Sequence, residues 1–429
     1  AFDFLVIEWL TVAVLGVWGC RFILNPKHRL LWPWICWPVL GFMLYAAGRC
    51  WLAGFDELAR QELSRVLIYG FIFFAVLNNL HRLETVQLVG IAVLSMGTLL
   101  SMYAVGQYLT GAEHVWGAAR PSIYEGRGSG TFLNPNQLAG YLELLLPLAL
   151  AYTLTGRWKE IGKVLGGYAS LVIFAGLVVT FSRWGWLAAG ISVVLWLIWM
   201  MRQHQYRPAG LLLISGFIVI IVVLGVLLRP TKAHVQDNRL DRAARVEDVH
   251  FKAWEPALNF WQDHFWWGAG PGAFDAAHPE YRAAEATRQM PPERVRNDYL
   301  NVLMDWGLIG GLLLAAVWGC FYAGIVRSWK YVHRTPNDLK AKRSNKTAFV
   351  LGGALGLLAI LIHSWLDTNL YVPANAILAA VLLGLVSGHF RFATEKYWHT
   401  VRWGLRVPVA LVLIAGLVFL GAHAWRHTF

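Results

Sequence analysis

Long apolar stretches alternate with short polar segments along the whole chain. A helix needs about twenty mostly apolar residues to cross the hydrocarbon core of a bilayer, and most of these stretches reach or approach that length. The pattern therefore predicts an all-α, polytopic membrane protein with about twelve transmembrane helices. The predicted spans are residues 2–24, 31–52, 66–80, 88–110, 138–155, 164–181, 185–201, 209–228, 298–326, 348–365, 374–390 and 405–425.

These spans divide the chain into three parts. Residues 1–228 hold the first eight predicted helices with short loops, residues 229–297 form one large loop, and residues 298–429 hold the last four helices. The composition agrees, because only 14% of the residues are charged, against about 25% in soluble domains. We therefore exclude a soluble globular protein.

The formal net charge of +12 comes from basic residues between the apolar runs. Counting the spans alternately places five basic loops on one side, which the positive-inside tendency assigns to the cytoplasm. The outer side then receives the long connections 53–65, 111–137 and 229–297. The positive charge is therefore explained by the orientation of the chain in the membrane. Nucleic acid is not an expected partner. The five loops are marked by Lys27 and Arg29; Arg157, Lys159 and Lys163; Arg202 and Arg207; the run from Arg327 to Lys346; and Arg391, Lys396 and Arg402.

Several arginines fall on the outer side, close to predicted span ends. Arg183 lies in the short connection Phe181–Gly185, where a guanidinium is costly unless an anion or a carboxylate meets it. Arg127 and Arg296 lie on the same side. Each of these arginines could instead have a purely structural role. Arg183 would then snorkel to the lipid headgroups or form an ion pair, Arg127 would cap a turn, and Arg296 would anchor the chain at the membrane interface. Together these arginines suit a membrane lipid that carries phosphate or diphosphate, with its anion held by guanidinium groups.

A histidine and an aspartate lie four residues apart near the outer end of one predicted span. His363 and Asp367 share a helix face if the helix continues. A histidine held by a carboxylate can act as a general base near neutral pH. The alternative is a packing histidine without a chemical role. The neighbouring carboxylate and the outer position strengthen the catalytic interpretation.

The large loop combines an amphipathic segment, an aromatic run and a glycine-rich stretch. Residues 239–254 place apolar side chains at helical spacing, which predicts a helix lying over the bundle. The aromatic residues between Trp254 and Trp267 indicate an interfacial belt, or a platform for sugar rings or a lipid tail. Gly268–Gly272 follows no strand, so it predicts a tight turn and not a nucleotide site. The four cysteines lack metal-ligand spacing, and neither a metal nor a cofactor is predicted.

Five short motifs occur in sequence along the chain. They are Gly130–Asn136, Phe181–Gly185, Gly268–Gly272 with Phe274, Arg296–Leu300 with Gly307 and Gly310, and Asp367–Pro373. Their order resembles the bacterial O-antigen ligase family, whose superfamily also holds O-antigen polymerases and protein O-oligosaccharyltransferases. The resemblance implies a GT-C-like glycosyltransferase of the bacterial inner membrane with a large, helical periplasmic loop. Such an enzyme moves a glycan from undecaprenyl diphosphate to lipid A–core without metal or nucleotide.

The resemblance also implies roles for individual residues. The family's functional arginines match Arg183 and, in the large loop, Arg245. The family's His–Asn pair falls on Arg296–Asn297, so an arginine replaces the histidine. Because an arginine cannot accept a proton at neutral pH, we expect Arg296 to hold phosphate. Asn297 and Arg127 are expected to bind substrate beside it.

The replaced histidine leaves the general base to another residue. We predict His363 as the base, with Asp367 orienting its ring and His250 in reserve. In the expected reaction an acceptor hydroxyl attacks the anomeric carbon with inversion, and arginines hold the departing diphosphate.

Other functions remain open on the sequence. A polymerase would use another lipid-linked repeat as acceptor, and a protein transferase would use a serine or threonine. A transporter of the lipid-linked glycan would show discontinuous helices in paired halves and polar groups near the midplane. No internal repeat is found and the polar residues gather at one face, which argues against transport.

Overall fold

The apolar runs fold as helices in the computed structural model of the protein. The structure describes residues 2–24, 29–53, 56–204, 206–208, 210–211, 214–216, 254–273, 295–333, 344–400 and 403–428. The helices are α1 (Phe2–Leu24), α2 (Cys36–Leu52), α3 (Glu57–Asn79), α4 (Leu83–Thr110), α5 (Pro135–Leu154), α6 (Glu160–Val179), α7 (Arg183–Arg202), α8 (Trp254–Asp263), α9 (Asp298–His333), α10 (Asn345–His363), α11 (Pro373–Ser387) and α12 (Trp403–Thr428). Single 3-10 turns lie at Ser122–Tyr124, Gly388–Phe392 and Glu395–Tyr397.

In the part of the chain that the structure describes, nine helices are long and apolar enough to cross a membrane. They are α1, α4, α5, α6, α7, α9, α10, α12 and α11 with the 3-10 turn that follows it. This confirms the predicted all-α, polytopic membrane fold. The helix α2 has only 17 residues, and α3 carries several charges in its first turns. The predicted span 209–228, the amphipathic segment 239–253 and most of the large loop 229–297 lie outside the described residues.

Two short antiparallel strand pairs accompany the helices. Strand β1 (Arg29–Leu31) pairs with β4 (Trp398–Thr400), and β2 (His114–Val115) pairs with β3 (Ala118–Ala119). The pattern predicts a helix from residue 31, whereas α2 begins at Cys36 because β1 is committed to this pairing. A partner strand about 370 residues away therefore sets the start of that helix.

The helix α3 begins earlier than its apolar pattern predicts, at Glu57 rather than at residue 66. The carboxylate of Asp56 accepts a hydrogen bond from the Ala59 N–H at 2.8 Å, which caps the helix. The apolar pattern predicts a connection over residues 53–65, but the Asp56 cap extends the helix through the charged part of this segment.

The helices α5, α10 and α11 form the centre of the bundle, because most of their side chains are buried. Helices α5 and α10 approach closely through glycine. A Cβ atom on Gly356 would lie 2.2 Å from the Leu144 carbonyl oxygen, and one on Gly352 would lie 2.7 Å from the Leu148 Cα. Small residues permit this contact between membrane helices, and it fixes the ends of both helices relative to each other.

The helix α9 is interrupted at Gly307, which has φ 65° and ψ −172°. The turn at Gly268 packs against this break, and a Cβ on Gly307 would lie 2.3 Å from the Gly268 nitrogen. The Ala269 N–H donates to the Met304 carbonyl at 2.8 Å. The predicted turn Gly268–Gly272 is thus a backbone contact between the large loop and α9.

The helix ends define two ends of the bundle. At the site end the N-termini of α5, α7, α9 and α11 meet the C-terminus of α10. At the opposite end the N-termini of α4 and α10 lie near the C-terminus of α11. The 20 residues of α5 separate the two ends by about 30 Å.

Candidate active site

Arg127 is held where the loop between α4 and α5 meets the turn between α6 and α7. Its Nε donates to the Thr180 carbonyl at 2.7 Å, and the adjacent Gly128 N–H donates to the Val179 carbonyl at 2.7 Å. The buried Arg120 supports the same loop, because it donates to the Arg127 carbonyl. These bonds dock the loop beside the first residue of α7.

A hydrogen-bonded chain links Arg127 to Asp367. The Arg127 guanidinium donates to the Asn136 Oδ1, and the Asn136 Nδ2 donates to the Asp367 Oδ2 at 2.8 Å. Asn136 lies in the first turn of α5, where Asn134 caps the helix by accepting its N–H at 2.9 Å. The segment Asn134–Pro135–Asn136 therefore holds the Asn136 amide between the Arg127 guanidinium and the Asp367 carboxylate.

Tyr124 joins a second arginine to this arrangement. The Arg296 Nη2 donates to the Tyr124 hydroxyl at 3.2 Å. The Arg127 Cζ lies 5.7 Å from the centre of the Tyr124 ring, which is within the range of a cation–π contact. Tyr124 is only 6% exposed, so it holds both guanidinium groups on a rigid support.

Arg183 is the first residue of α7 and is exposed. Ser182 caps that helix by accepting the Gly185 N–H at 3.4 Å. Phe181 has φ 50°, a left-handed conformation that large side chains rarely adopt. The N-terminus of α7 adds partial positive charge beside the guanidinium.

Arg127, Arg183 and Arg296 form what we call the arginine cluster. Burial lowers the pKa of Arg127 to about 10; Tyr124 and Asp367 oppose this shift, and Arg296 and Arg183 add to it. Arg127 therefore remains protonated near neutral pH, with two further cations close enough to act on it.

Asp367 is an ionised carboxylate within this cluster. Burial alone would raise its pKa, but the charges of Arg296 and His363 and hydrogen bonds from the Thr368 N–H and Asn136 lower the pKa below its usual range. The arginine cluster thus places guanidinium groups beside this carboxylate, and guanidinium groups are suited to binding phosphate oxygens.

His363 lies fully buried beneath the cluster, and its partner is Glu143. The His363 Nδ1 is 3.0 Å from the Glu143 Oε2, and both side chains have 0% exposure. The prediction that Asp367 orients this ring is wrong. The helix α10 ends at His363. In the turn that follows, the Asp367 carboxylate accepts a hydrogen bond from the Asn136 side chain. The Asp367 backbone N–H donates to the His363 carbonyl at 3.1 Å.

Asn297 caps α9. Its Oδ1 accepts the N–H groups of Tyr299 and Leu300 at 2.9 Å and 3.1 Å, and the residue is 2% exposed. These contacts are those of a helix cap, and the predicted substrate contact of Asn297 stays a prediction.

Asp298 ties α9 to the turn that carries Asp367. Its Oδ2 accepts the N–H groups of Asn369 and Leu370 at 3.0 Å and 2.8 Å. The Asp298 N–H donates to the Ser364 carbonyl at 2.9 Å. The large loop, α9 and the turn after α10 thus meet at one point.

A mostly apolar groove of about 420 Å³ begins beside this turn. It runs between α2, α3, α9 and α11, and its wall consists mainly of aliphatic and aromatic side chains. Asp298, Ser364 and Tyr371 form a polar rim where the groove meets the turn. Glu62 and Arg65 also line it, as an ion pair of 2.5 Å. A groove of this composition suits a hydrocarbon chain.

The structure brings together Arg127, Arg183, Arg296 and Asp367, which the sequence predicts as site residues. His363 is adjacent but buried. Arg245, together with the reserve base His250, lies outside the described residues.

Three residues that contribute to the site are not among those predicted from the sequence. Glu143 could have been found, because an acid inside a predicted transmembrane span is costly and marks a functional or paired group. Asn136 is the last residue of the motif Gly130–Asn136, but the motif alone does not indicate its role. Tyr124 has no local signal, since its contacts to Arg127 and Arg296 exist only in the folded chain.

Among the side chains that the structure describes, no three His, Cys, Asp or Glu residues come together as a possible metal site.

The family model described as O-antigen ligase matches residues 168–315. The match covers roughly a third of the chain and includes Arg183, Arg245, Arg296 and Asn297. It supports membership of the O-antigen ligase and polymerase superfamily, as the order of the motifs predicts, and a glycosyl transfer function of the ligase or polymerase type. No curated protein matches the chain significantly.

Proposed function

We propose that the chain is an O-antigen ligase of the bacterial inner membrane that transfers O-antigen glycan from undecaprenyl diphosphate to lipid A–core. The observation that carries the proposal is the arginine cluster, which lies beside the apolar groove. A lipid-linked diphosphate has the matching parts, an acidic headgroup and a long apolar tail. We assign the site end to the periplasm, from the distribution of basic loops.

In this proposal the arginine cluster binds the diphosphate. Guanidinium groups form bidentate, charge-assisted hydrogen bonds to phosphate oxygens. Arg127 and Arg296 are already fixed by Asn136 and Tyr124, so they need little reorganisation as charge develops on the leaving group. The exposed Arg183 lies at the mouth of the site and contacts the headgroup as it enters.

The groove takes the first part of the polyprenyl tail. Burial of apolar surface contributes about 0.8 kcal/mol for each CH₂ group. The polar rim at Asp298, Ser364 and Tyr371 then marks the boundary between tail and headgroup, next to the turn that carries Asp367.

The transfer is an inverting displacement. An acceptor hydroxyl attacks the anomeric carbon, the bond from that carbon to the diphosphate oxygen breaks, and the diphosphate keeps the bonding electrons. The arginine cluster stabilises the departing charge, which requires no metal ion. We assign proton acceptance to Asp367, which is ionised within the cluster. His363 is fully buried against Glu143 and positions the turn that carries Asp367.

Reconstitution with one lipid-linked donor and three acceptors tests the proposal. We expect attachment of glycan to lipid A–core. Elongation of a second lipid-linked repeat would instead identify a polymerase, and attachment to protein serine or threonine a protein transferase. Movement of the donor across the vesicle without any transfer would overturn the enzymatic assignment.

Sidedness is tested separately by labelling with a membrane-impermeant maleimide, in a chain whose native cysteines are serine. Trp116, 83% exposed at the tip of the β2–β3 hairpin, is replaced by cysteine, and Lys159→Cys reports the opposite end. We expect Trp116→Cys to react from the periplasm and Lys159→Cys only after lysis. The reverse pattern contradicts the proposed location.

A further inference from the structure

A second positively charged site lies at the opposite end of the bundle. A pocket of about 230 Å³ opens there between the start of α4, the start of α10 and the 3-10 turn after α11. Arg157, Lys346 and Arg391 line it, together with His81 and His389. Aspartate and glutamate are absent from the described residues of its wall. It is separated from the arginine cluster by the length of α5, about 30 Å.

Two of these cations are held by uncharged groups. The Lys346 Nζ donates to the Tyr331 carbonyl at 3.1 Å and lies 3.3 Å from the centre of the Phe392 ring. Arg391 donates through Nη2 to the His81 carbonyl, and its Cζ lies 4.8 Å from the same ring. These contacts fix both cations in place at the pocket wall.

Arg391 also carries a donor that the fold does not use. Its Nη1 is buried and has no hydrogen-bond partner in the described part of the chain. A buried, charged donor without a hydrogen-bond partner is destabilising. A ligand that accepts from this nitrogen would remove that destabilisation.

Backbone dipoles add to the positive potential. Helix α10 begins at Asn345 and helix α4 at Leu83, and both residues line the pocket. Helix N-termini attract anions through their unpaired N–H groups and partial positive charge. The volume of the pocket is several times the roughly 30 Å³ that one water molecule occupies, so a phosphate group fits together with water.

We infer that this pocket binds a phosphate group, supplied by an anionic phospholipid headgroup or by a soluble phosphate. The pocket lies at the helix ends, and its rim includes the half-exposed apolar side chains Leu83 and Phe392. Basic pockets between transmembrane helices on the cytoplasmic side are suited to acidic lipid headgroups. The inference does not depend on the reaction at the site end.

The test measures thermal stability of the delipidated full chain in neutral detergent at constant ionic strength. One arm adds inorganic phosphate, and the other compares phosphatidylglycerol with phosphatidylcholine. Because the arginine cluster also attracts phosphate, both arms are repeated in the Arg183→Gln background. At about ten times Kd we expect the melting temperature to rise by on the order of 2 °C.

The double variant Lys346→Gln/Arg391→Gln should lose this rise, whereas Lys159→Gln, an exposed cation at the same end, should keep it. If the double variant does not fold, Arg157→Gln should reduce the rise. A response to phosphatidylglycerol alone identifies the lipid source, and a response to both identifies a pocket open to water. Equal rises in wild type and pocket variants, or no rise in either arm, overturn the inference.

Discussion

Both ends of the bundle gather cations, but they hold them differently. At the site end, the side chains of Asn136 and Tyr124 hold arginines in addition to the Thr180 carbonyl, and Asn136 connects one arginine to the carboxylate of Asp367. At the opposite end, backbone carbonyls and the Phe392 ring hold the cations, and carboxylates are absent from the described pocket wall. A large apolar groove adjoins the first of these two sites. Positive charge alone supports anion binding, whereas transfer chemistry also needs a proton acceptor and a place for the lipid.

The largest expected effect is loss of transfer in Arg183→Ala. Removing one donor that stabilises developing charge lowers kcat by about 10²–10³-fold, and the exposed position of Arg183 predicts unchanged folding. Lys159→Ala removes an exposed cation at the other end and is the matched control. The measurement is single-turnover transfer to lipid A–core. Equal activity in the two variants would contradict a catalytic role for the site end of the bundle.

The next effect concerns the buried pair beneath the cluster. Glu143→Leu leaves the His363 Nδ1 without its partner, and we expect a loss of about 1–3 kcal/mol of stability together with a loss of transfer. The double variant Glu143→Leu/His363→Leu should recover part of the stability but not the activity.

A second buried pair serves as the control for that experiment. Glu8 and His423 meet at 2.9 Å between α1 and α12, away from the arginine cluster. Glu8→Leu should destabilise by a similar amount while the remaining folded protein keeps its kcat. Thermal unfolding and transfer assays on both variants separate the two roles, and a matching loss of kcat in Glu8→Leu would argue against a special role for Glu143.

A smaller effect is expected from the polar side chains that hold the arginines. Asn136→Ala breaks both bonds of the chain from Arg127 to Asp367, and misplacement of these groups should lower kcat roughly tenfold or more. Tyr124→Phe keeps the ring under Arg127 but loses the hydroxyl that accepts from Arg296, so its loss should be smaller. A larger loss in Tyr124→Phe than in Asn136→Ala contradicts this ranking.

The smallest effect is a pH dependence of stability. The pKa of Asp367 is lowered in the folded protein, so the carboxylate stabilises the fold above the unfolded pKa of about 3.9. That stabilisation disappears as the pH falls through the lower, folded pKa. The melting temperatures of wild type and Asp367→Asn should therefore differ most above about pH 4 and converge in stronger acid. A constant difference across the acid range would show that the charge is not involved.

The apolar runs in the sequence predicted most of the helices, because the length of an apolar run indicates whether the segment can cross a bilayer. It failed at two boundaries for identifiable reasons. Pairing of Arg29–Leu31 with Trp398–Thr400 delays α2, and the Asp56 cap extends α3 through charged turns. A distant strand causes the first difference and a single side chain the second. Neither is visible in the hydrophobicity of the local sequence.

The membrane fold, the order of the motifs and the concentration of arginines on one side follow from composition and spacing along the chain. The partnerships within the site follow instead from how the helices pack. Glu143 and His363 are 220 residues apart, and Asn136 reaches Asp367 across 231 residues. Spacing places two residues on one helix face, as it did with His363 and Asp367, but only the packing of α5 against α10 decides which carboxylate the histidine meets.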